Sequence, residues 1–348
     1  MIKVQLTSVN TMASLLDPLT IRKLHIENRI VMPPMASELA TRSGEVTEAL
    51  AAHYKSRCKS VGLVIVEHSY IHPIGKRSEK QPGIHSNNRV AGLSRLVEAL
   101  HEEGTPIAIQ INHAGRRANS RVTGAQPVAA SCIPNPETNE MPRELTADEI
   151  ESIVKAFGLA ARRAVKAGFD AVEIHGAHGY LLNQFCSPLT NRRNDRYGGV
   201  LENRMRFPLE VASDVLSKVR QDIPVLYRLG ADDMMPGGLT LEESKRIAQS
   251  LAILGIAVID VSGGLCGYQP SNLSGEGYFA HLAKEIKQTA KAPVITSGGI
   301  KTPQFADEIV KKGIADLVGI GRALLADPNW ATRAIETLKK GAVRGSLH

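Results

Sequence analysis

Cysteine is scarce in this 348-residue chain, and Cys58, Cys132, Cys186 and Cys266 stand far apart with no C-x-x-C among them. Local spacing therefore builds neither a zinc knuckle nor an iron–sulfur cassette, and a reduced, cytosolic protein is the expectation. Aromatic residues make up only 4%, so the core must be largely aliphatic. No apolar run approaches the roughly 18 residues of a membrane-spanning helix, so no membrane partner is expected. Runs of like charge are also missing, which argues against a nucleic-acid-binding arm. Residues 1–14 carry one lysine and no small-residue cleavage signature, so they read as an N-terminal extension ahead of one domain over 15–348.

What is present fits a globular enzyme: 43% apolar and 22% charged residues, with a dispersed net charge of +7. That excess suits an anionic small molecule, although solubility alone accounts for it equally well. Eight short β-branched runs recur, over 28–36, 62–70, 106–114, 171–177, 225–231, 257–263, 293–299 and 317–322. Their near-continuous apolar character is that of parallel strands buried on both faces. Between them lie helix-start signals: Thr146 with Glu149 and Thr240 with Glu243 are capping boxes, and Pro303 follows Thr302. Strand and helix alternating eight times, with no G-x-G-x-x-G after the first strand, predict an α/β fold, a single-domain (β/α)8 TIM barrel. Long connections over 115–146 and 178–203 are expected to cover a ligand.

The last two strands end in Ser297-Gly298-Gly299 and Gly319-Ile320-Gly321-Arg322. Glycines there let backbone N–H groups approach an anion and the arginine adds a fork of donors, the phosphate corner of a barrel; tight turns are the plainer reading. His175, His178 and Tyr180 follow strand four. Two imidazoles can hold one carbonyl oxygen while a phenol delivers a proton beside it; a metal pair or structural histidines are the alternatives, with Glu67, Glu173 and His113 on other strand ends but without ligand spacing. Gln110 and Arg228 close strands three and five, an amide and a cation of the kind a flavin ring requires. With no lysine in any strand and no G-x-S-x-G, the chain offers donors and an anion clamp but no strong nucleophile.

In order and spacing, NRIVMPPMA, GLVIVEHSY, QINHAGR, HGAHGYLLNQFCSPLTNRRNDRYGGVLENRMRF, SGG and GIGRALLADP resemble the flavin barrel of the old yellow enzyme family. The likeness is greatest to the branch of NADH:flavin oxidoreductases and the barrel portions of 2,4-dienoyl-CoA and enoate reductases. It covers about residues 15–340 of the chain. The resemblance implies FMN as cofactor and NADH or NADPH as electron donor. It implies that Pro34, Met35 and Ala36 line one FMN face, that Gln110 and Arg228 bind the isoalloxazine, and that Gly298, Gly299, Gly321 and Arg322 hold the phosphate. It places His175 and His178 on the carbonyl of an unsaturated substrate and makes Tyr180 the proton donor in reduction of an activated C=C bond. The same groups serve a desaturase running in reverse, and family barrels often assemble as homo-oligomers. Many relatives carry Cys and Tyr where this chain has Ala36 and Glu38; Ser37 is either a hydroxyl that partly substitutes near the flavin and contacts the substrate, or a solvent-facing loop serine. A flavin-free lyase or isomerase acting on a phosphorylated metabolite is the alternative from another class, and a non-catalytic subunit of an electron-transfer partner is a third.

Overall fold

The structure is a computed structural model describing residues 13–345; of the N-terminal extension, residues 1–12 lie outside the described residues. Eight parallel strands close into one barrel. They are β1 (Ile30–Met32), β2 (Leu63–Tyr70), β3 (Ile107–Asn112), β4 (Ala171–Gly176), β5 (Val225–Gly230), β6 (Val258–Ser262), β7 (Val294–Thr296) and β8 (Leu317–Gly319), each inside a run expected from the sequence. Every strand residue is buried, as strands covered by helices outside and side chains inside must be.

Side-chain alternation sorts these residues into two sets. Ile107, Ile109 and Ile111 of β3, Val172 and Ile174 of β4, Val225, Tyr227 and Leu229 of β5, and Ile259 and Val261 of β6 point outward into the main core beneath the helices. The inward set begins with an apolar layer, Leu63, Ala108, Ala171, Leu226, Val258, Ile295 and Leu317. The same cluster contains Ile21, Leu24 and Ile26, from an antiparallel hairpin of Leu19–Ile21 and Leu24–Ile26 that packs under the barrel's N-terminal end. Above the apolar layer, period two brings Gln110, Glu173, Arg228 and Asp260 inward, and then Asn112, His175 and Ser262 nearer the mouth.

The helices begin where the sequence says they should. Helix α1 (Glu48–Lys55) is capped by Thr47, and α3 (Ala147–Ala167) and α5 (Leu241–Leu254) each start with both hydrogen bonds of a capping box. Such a cap contributes about 1 kcal/mol. Gly168 and Gly255 end α3 and α5 with φ of 95° and 110°, conformations that a side chain would strain. On α3, Ile150, Ile153, Phe157, Ala160, Ala161 and Ala164 recur at three- and four-residue steps and are buried. Helices α2 (Val90–His101), α4 (Arg206–Lys218), α6 (Ala280–Ala290), α7 (Pro303–Lys311) and α8 (Trp330–Gly345) complete the ring. Pro303 holds the first helical position of α7.

Buried arginines fix the two long connections. Arg193 Nη1 donates to the carbonyls of Ala130 (3.2 Å) and Leu145 (2.7 Å), while its Nε and Nη2 hold Asp195. One side chain thus ties the 178–203 segment to the 115–146 segment. Arg204 clamps the carbonyls of Cys186 and Gly199 and pairs with Glu243, the capping residue of α5. The arginines at these two positions of the long signature stretch are structural clamps.

Candidate active site

At the C-terminal mouth, β4 runs into a turn in which His178 has φ of 58° and Gly179 has φ of 70°. A left-handed residue other than glycine costs of order 1–3 kcal/mol and persists only where its surroundings hold it. Here the His178 N–H donates to Gly263 O, Arg117 Nη1 donates to His178 O (2.9 Å), and Gly179 N–H donates to Asn183 Oδ1 (2.7 Å). The turn stacks three functional rings: His175 lies 5.1 Å from His178 and 4.8 Å from Tyr180, both edge-on.

Local hydrogen bonds set the protonation of these rings. The Ala177 N–H donates to His175 Nδ1 (3.4 Å), so the ring proton belongs on Nε2, a donor without an acceptor among the described residues. His178 Nε2 is paired with Ser262 Oγ at 2.7 Å. Burial, reinforced by neighbouring His178 and Arg228 for His175 and by Arg228 and Arg117 for His178, holds both imidazoles neutral, well below the usual histidine range. Tyr180 is pushed up by burial, with Arg117 opposing, and stays protonated at neutral pH. The Arg117 guanidinium sits 5.5 Å from the Tyr180 ring centroid.

His68 belongs to the same cluster, 5.5 Å from the Tyr180 ring and 6.4 Å from His175. Gln81 Oε1 accepts from the Arg77 N–H, which turns its Nε2 toward His68, donating to Nδ1 (2.7 Å) and to the backbone carbonyl (2.8 Å). His68 is thereby a third neutral imidazole with its proton on Nε2, and burial lowers its pKa to about 4. Strict alternation along β2 would aim His68 outward. A register break between Val66 and Ser69 instead lets Glu67 and His68 both turn off the outer face. Across the rim, Arg77 and Arg117 both pair with Glu137 of the 115–146 connection.

After β1, Pro34 and Met35 are half-buried and Ala36 is exposed. Ser37 faces β2: its Oγ donates to Glu67 Oε1 (2.5 Å) and its N–H to Oε2 (3.0 Å). Burial raises Glu67 to about 7 against those two bonds. Glu38, at φ of 57°, turns toward the loop, accepting from Ser78 Oγ and the Lys80 N–H. Glu173 accepts from Gln110 and His113 Nδ1 accepts from the Gly115 N–H, so neither gathers with Glu67; among the described residues no three His, Cys, Asp or Glu side chains cluster as a metal site.

Gln110 and Arg228 lie two residues short of their strand ends, Gln110 in register with Glu173 and Arg228 in register with His175 and Asp260. Gln110 Nε2 donates to Glu173 (2.6 Å), and Arg228 Nε lies 3.4 Å from Asp260 Oδ2. Each thus has a carboxylate of an adjacent strand at its side. On the opposite side, Gly298 and Gly299 have φ of 122° and 69°, and a Cβ on Gly298 would stand 3.0 Å from the Tyr278 ring. Among the described residues the backbone N–H groups of Gly298, Gly299, Gly321 and Arg322 have no acceptor. Arg322 projects beside them, donating to Tyr278 Oη (3.1 Å). Four unsatisfied N–H groups and a guanidinium form a cradle for a dianion.

A closed barrel with a phosphate cradle at β7 and β8, and an amide and a guanidinium among its inward side chains, is the framework of a flavin mononucleotide enzyme. The chain belongs to the NADH:flavin oxidoreductase / NADH oxidase family, whose model matches residues 14–341. FMN is the cofactor of that family, and the residues present fit it. The chain is 46% identical over 323 residues to an NADH oxidase of Thermoanaerobacter brockii, across 91% of this chain and 50% of that protein. It therefore spans about half the length of that relative. It is 43% identical over 312 residues to an NADPH dehydrogenase of Clostridium acetobutylicum, covering 89% of this chain and 91% of the relative. Its fold is similar to the old yellow enzyme homologue of Zymomonas mobilis, with TM-score 0.83, 31% identity and 93% of each chain covered.

Proposed function

We propose that the protein is an FMN-dependent NAD(P)H oxidoreductase that reduces the activated C=C bond of α,β-unsaturated carbonyl compounds. The observation that carries this reading is Tyr180: a protonated phenol with no hydrogen-bond partner among the described residues, packed on His175 beside His178. FMN, when bound, supplies the hydride, itself taken from NADH or NADPH. Pro34, Met35 and Ala36 would line its face, Gln110 and Arg228 would bind its ring, and Gly298, Gly299, Gly321 and Arg322 would hold its phosphate.

His175 and His178 bind the substrate's carbonyl oxygen. Being neutral, they donate hydrogen bonds without surrendering a proton, and those bonds strengthen only as enolate-like charge develops, which lowers the barrier rather than merely tightening binding. Tyr180 then transfers its Oη proton to the α-carbon and is reprotonated from solvent. Ser37, fastened to Glu67, borders the substrate space and fixes the backbone after Ala36.

The free cysteines suit a cytoplasmic location, and no helix among the described residues is long and apolar enough to cross a membrane. Anaerobic titration of the purified protein with NADH and NADPH, followed by cyclohexenone, tests the proposal. The flavin absorbance bleaches with the nicotinamide and returns with the enone; a protein that cannot be loaded with FMN, or a bleached flavin indifferent to enones, overturns it.

A further inference from the structure

Beneath the mouth, Glu173 on β4 and Asp260 on β6 come within hydrogen-bonding reach of each other. Both are inaccessible to solvent. Gln110 supplies one donor, to Glu173 Oε2, and Arg228 supplies one cation, whose Nε is 3.4 Å from Asp260 Oδ2. Among the described residues, Glu173 Oε1 and both Asp260 oxygens are sealed without a hydrogen-bond donor. Three orphaned carboxylate oxygens are costly, and two ionised carboxylates in contact are costlier. A proton between them removes both difficulties: it supplies the missing donor, and the one remaining negative charge balances Arg228. Burial first, then the charge of Asp260, pushes Glu173 up; burial also raises Asp260, with Arg228 opposing, so Glu173 holds the proton and Asp260 pairs with the guanidinium.

In that state Arg228 is fully neutralised and has no net charge to offer upward. A hydride brings two electrons and one proton to the flavin, leaving one new negative charge beside Arg228. Resting on the flavin reading above, we propose that the Glu173–Asp260 pair takes up a second proton whenever the flavin is reduced and releases it on reoxidation. Reduction breaks the C–H bond of the nicotinamide, the hydride passes to the flavin, and one proton from solvent adds to Asp260. Arg228 is thereby released to face the reduced ring. On reoxidation the hydride leaves to the alkene, Tyr180 supplies the alkene's proton, and the pair's extra proton returns to solvent. Ser262, the next inward residue above Asp260, is bonded to His178 Nε2 (2.7 Å) and stands between the pair and the mouth. Among the described residues the charged group set against the pair is Arg228, on the strand between them, with the neutral amide of Gln110 on the Glu173 side.

The test is proton stoichiometry of the FMN-loaded protein. NADH is added anaerobically, one equivalent per flavin, in unbuffered, mildly alkaline solution containing a pH indicator. Transfer of a hydride alone consumes no solvent proton, so uptake of one proton per flavin is expected from the wild-type protein and none from Glu173→Gln combined with Asp260→Asn. Zero uptake by the wild-type protein overturns the proposal without any variant, as does undiminished uptake by a double variant that still binds flavin. Failure to bind FMN or to bleach with NADH would instead refute the flavin reading, a distinct result.

Discussion

Replacing Tyr180 by phenylalanine removes one oxygen atom, and the surroundings allow its effects on folding and on chemistry to be separated. The hydroxyl has no partner among the described residues, so its loss orphans no donor or acceptor and the effect on stability should stay within about 0.5 kcal/mol. The ring contacts with His175, His68 and Arg117 remain. Flavin binding and reduction by NADH or NADPH, which need no proton from Tyr180, should change less than about twofold, well under 1.4 kcal/mol. Alkene reduction loses its general acid, a loss of about 10² to 10⁴ in rate. Stopped-flow absorbance measures the two half-reactions separately, and thermal unfolding of the holoprotein gives the stability. An equal slowing of both half-reactions, or an unchanged rate of alkene reduction, refutes Tyr180 as the donor.

Arg322→Ala deletes the guanidinium of the phosphate cradle; at about 1.5–3 kcal/mol for a hydrogen bond to a charged group, FMN affinity should fall about 10- to 100-fold in a fluorescence titration. Arg204→Ala leaves the buried Cys186 carbonyl without its donor and removes the partner of the half-buried Glu243 carboxylate, so denaturant unfolding should show a loss of about 1–3 kcal/mol, recovered only partly by Arg204→Lys because an ammonium lacks the fork. Glu67, raised from 4.5 to about 7 in the folded protein, binds its proton more tightly folded than unfolded. Its contribution is therefore complete below about pH 4.5 and is lost as pH rises to about 7, by up to about 3 kcal/mol. The stability of Glu67→Gln should lack that decline, so the wild-type protein should lose ground to the variant across this window and not above it; parallel curves would exclude Glu67 as the titrating group.

The barrel was legible because each strand advertises burial on both faces, and the helix starts because Thr146, Glu149, Thr240 and Glu243 act through backbone atoms three residues away. The HGAHGY turn and the terminal glycines were legible for a similar reason: their chemistry lies within one short segment. His68 was not, since an irregularity in pairing with β3 re-aims it and no periodicity in β2 records that. Asp260 reads in sequence as one polar residue in an apolar strand; only closure of the barrel sets it against Glu173 from β4. Arg117 and Glu137 meet through the fold of the long connection, which local sequence leaves open. Nor does sequence distinguish Arg193 and Arg204 from ligand-binding arginines. Their partners are main-chain carbonyls distant along the chain.

The hairpin under β1–β8 has a kinetic corollary. With its apolar residues stoppering the N-terminal end, the barrel offers its C-terminal mouth to visitors, and on the function proposed above the nicotinamide and the alkene would use it in turn. Turnover on these terms is a shuttle in which each visitor departs before the next is admitted. Double-reciprocal plots should then run parallel, and a dead-end analogue of either reactant should bar the door to both.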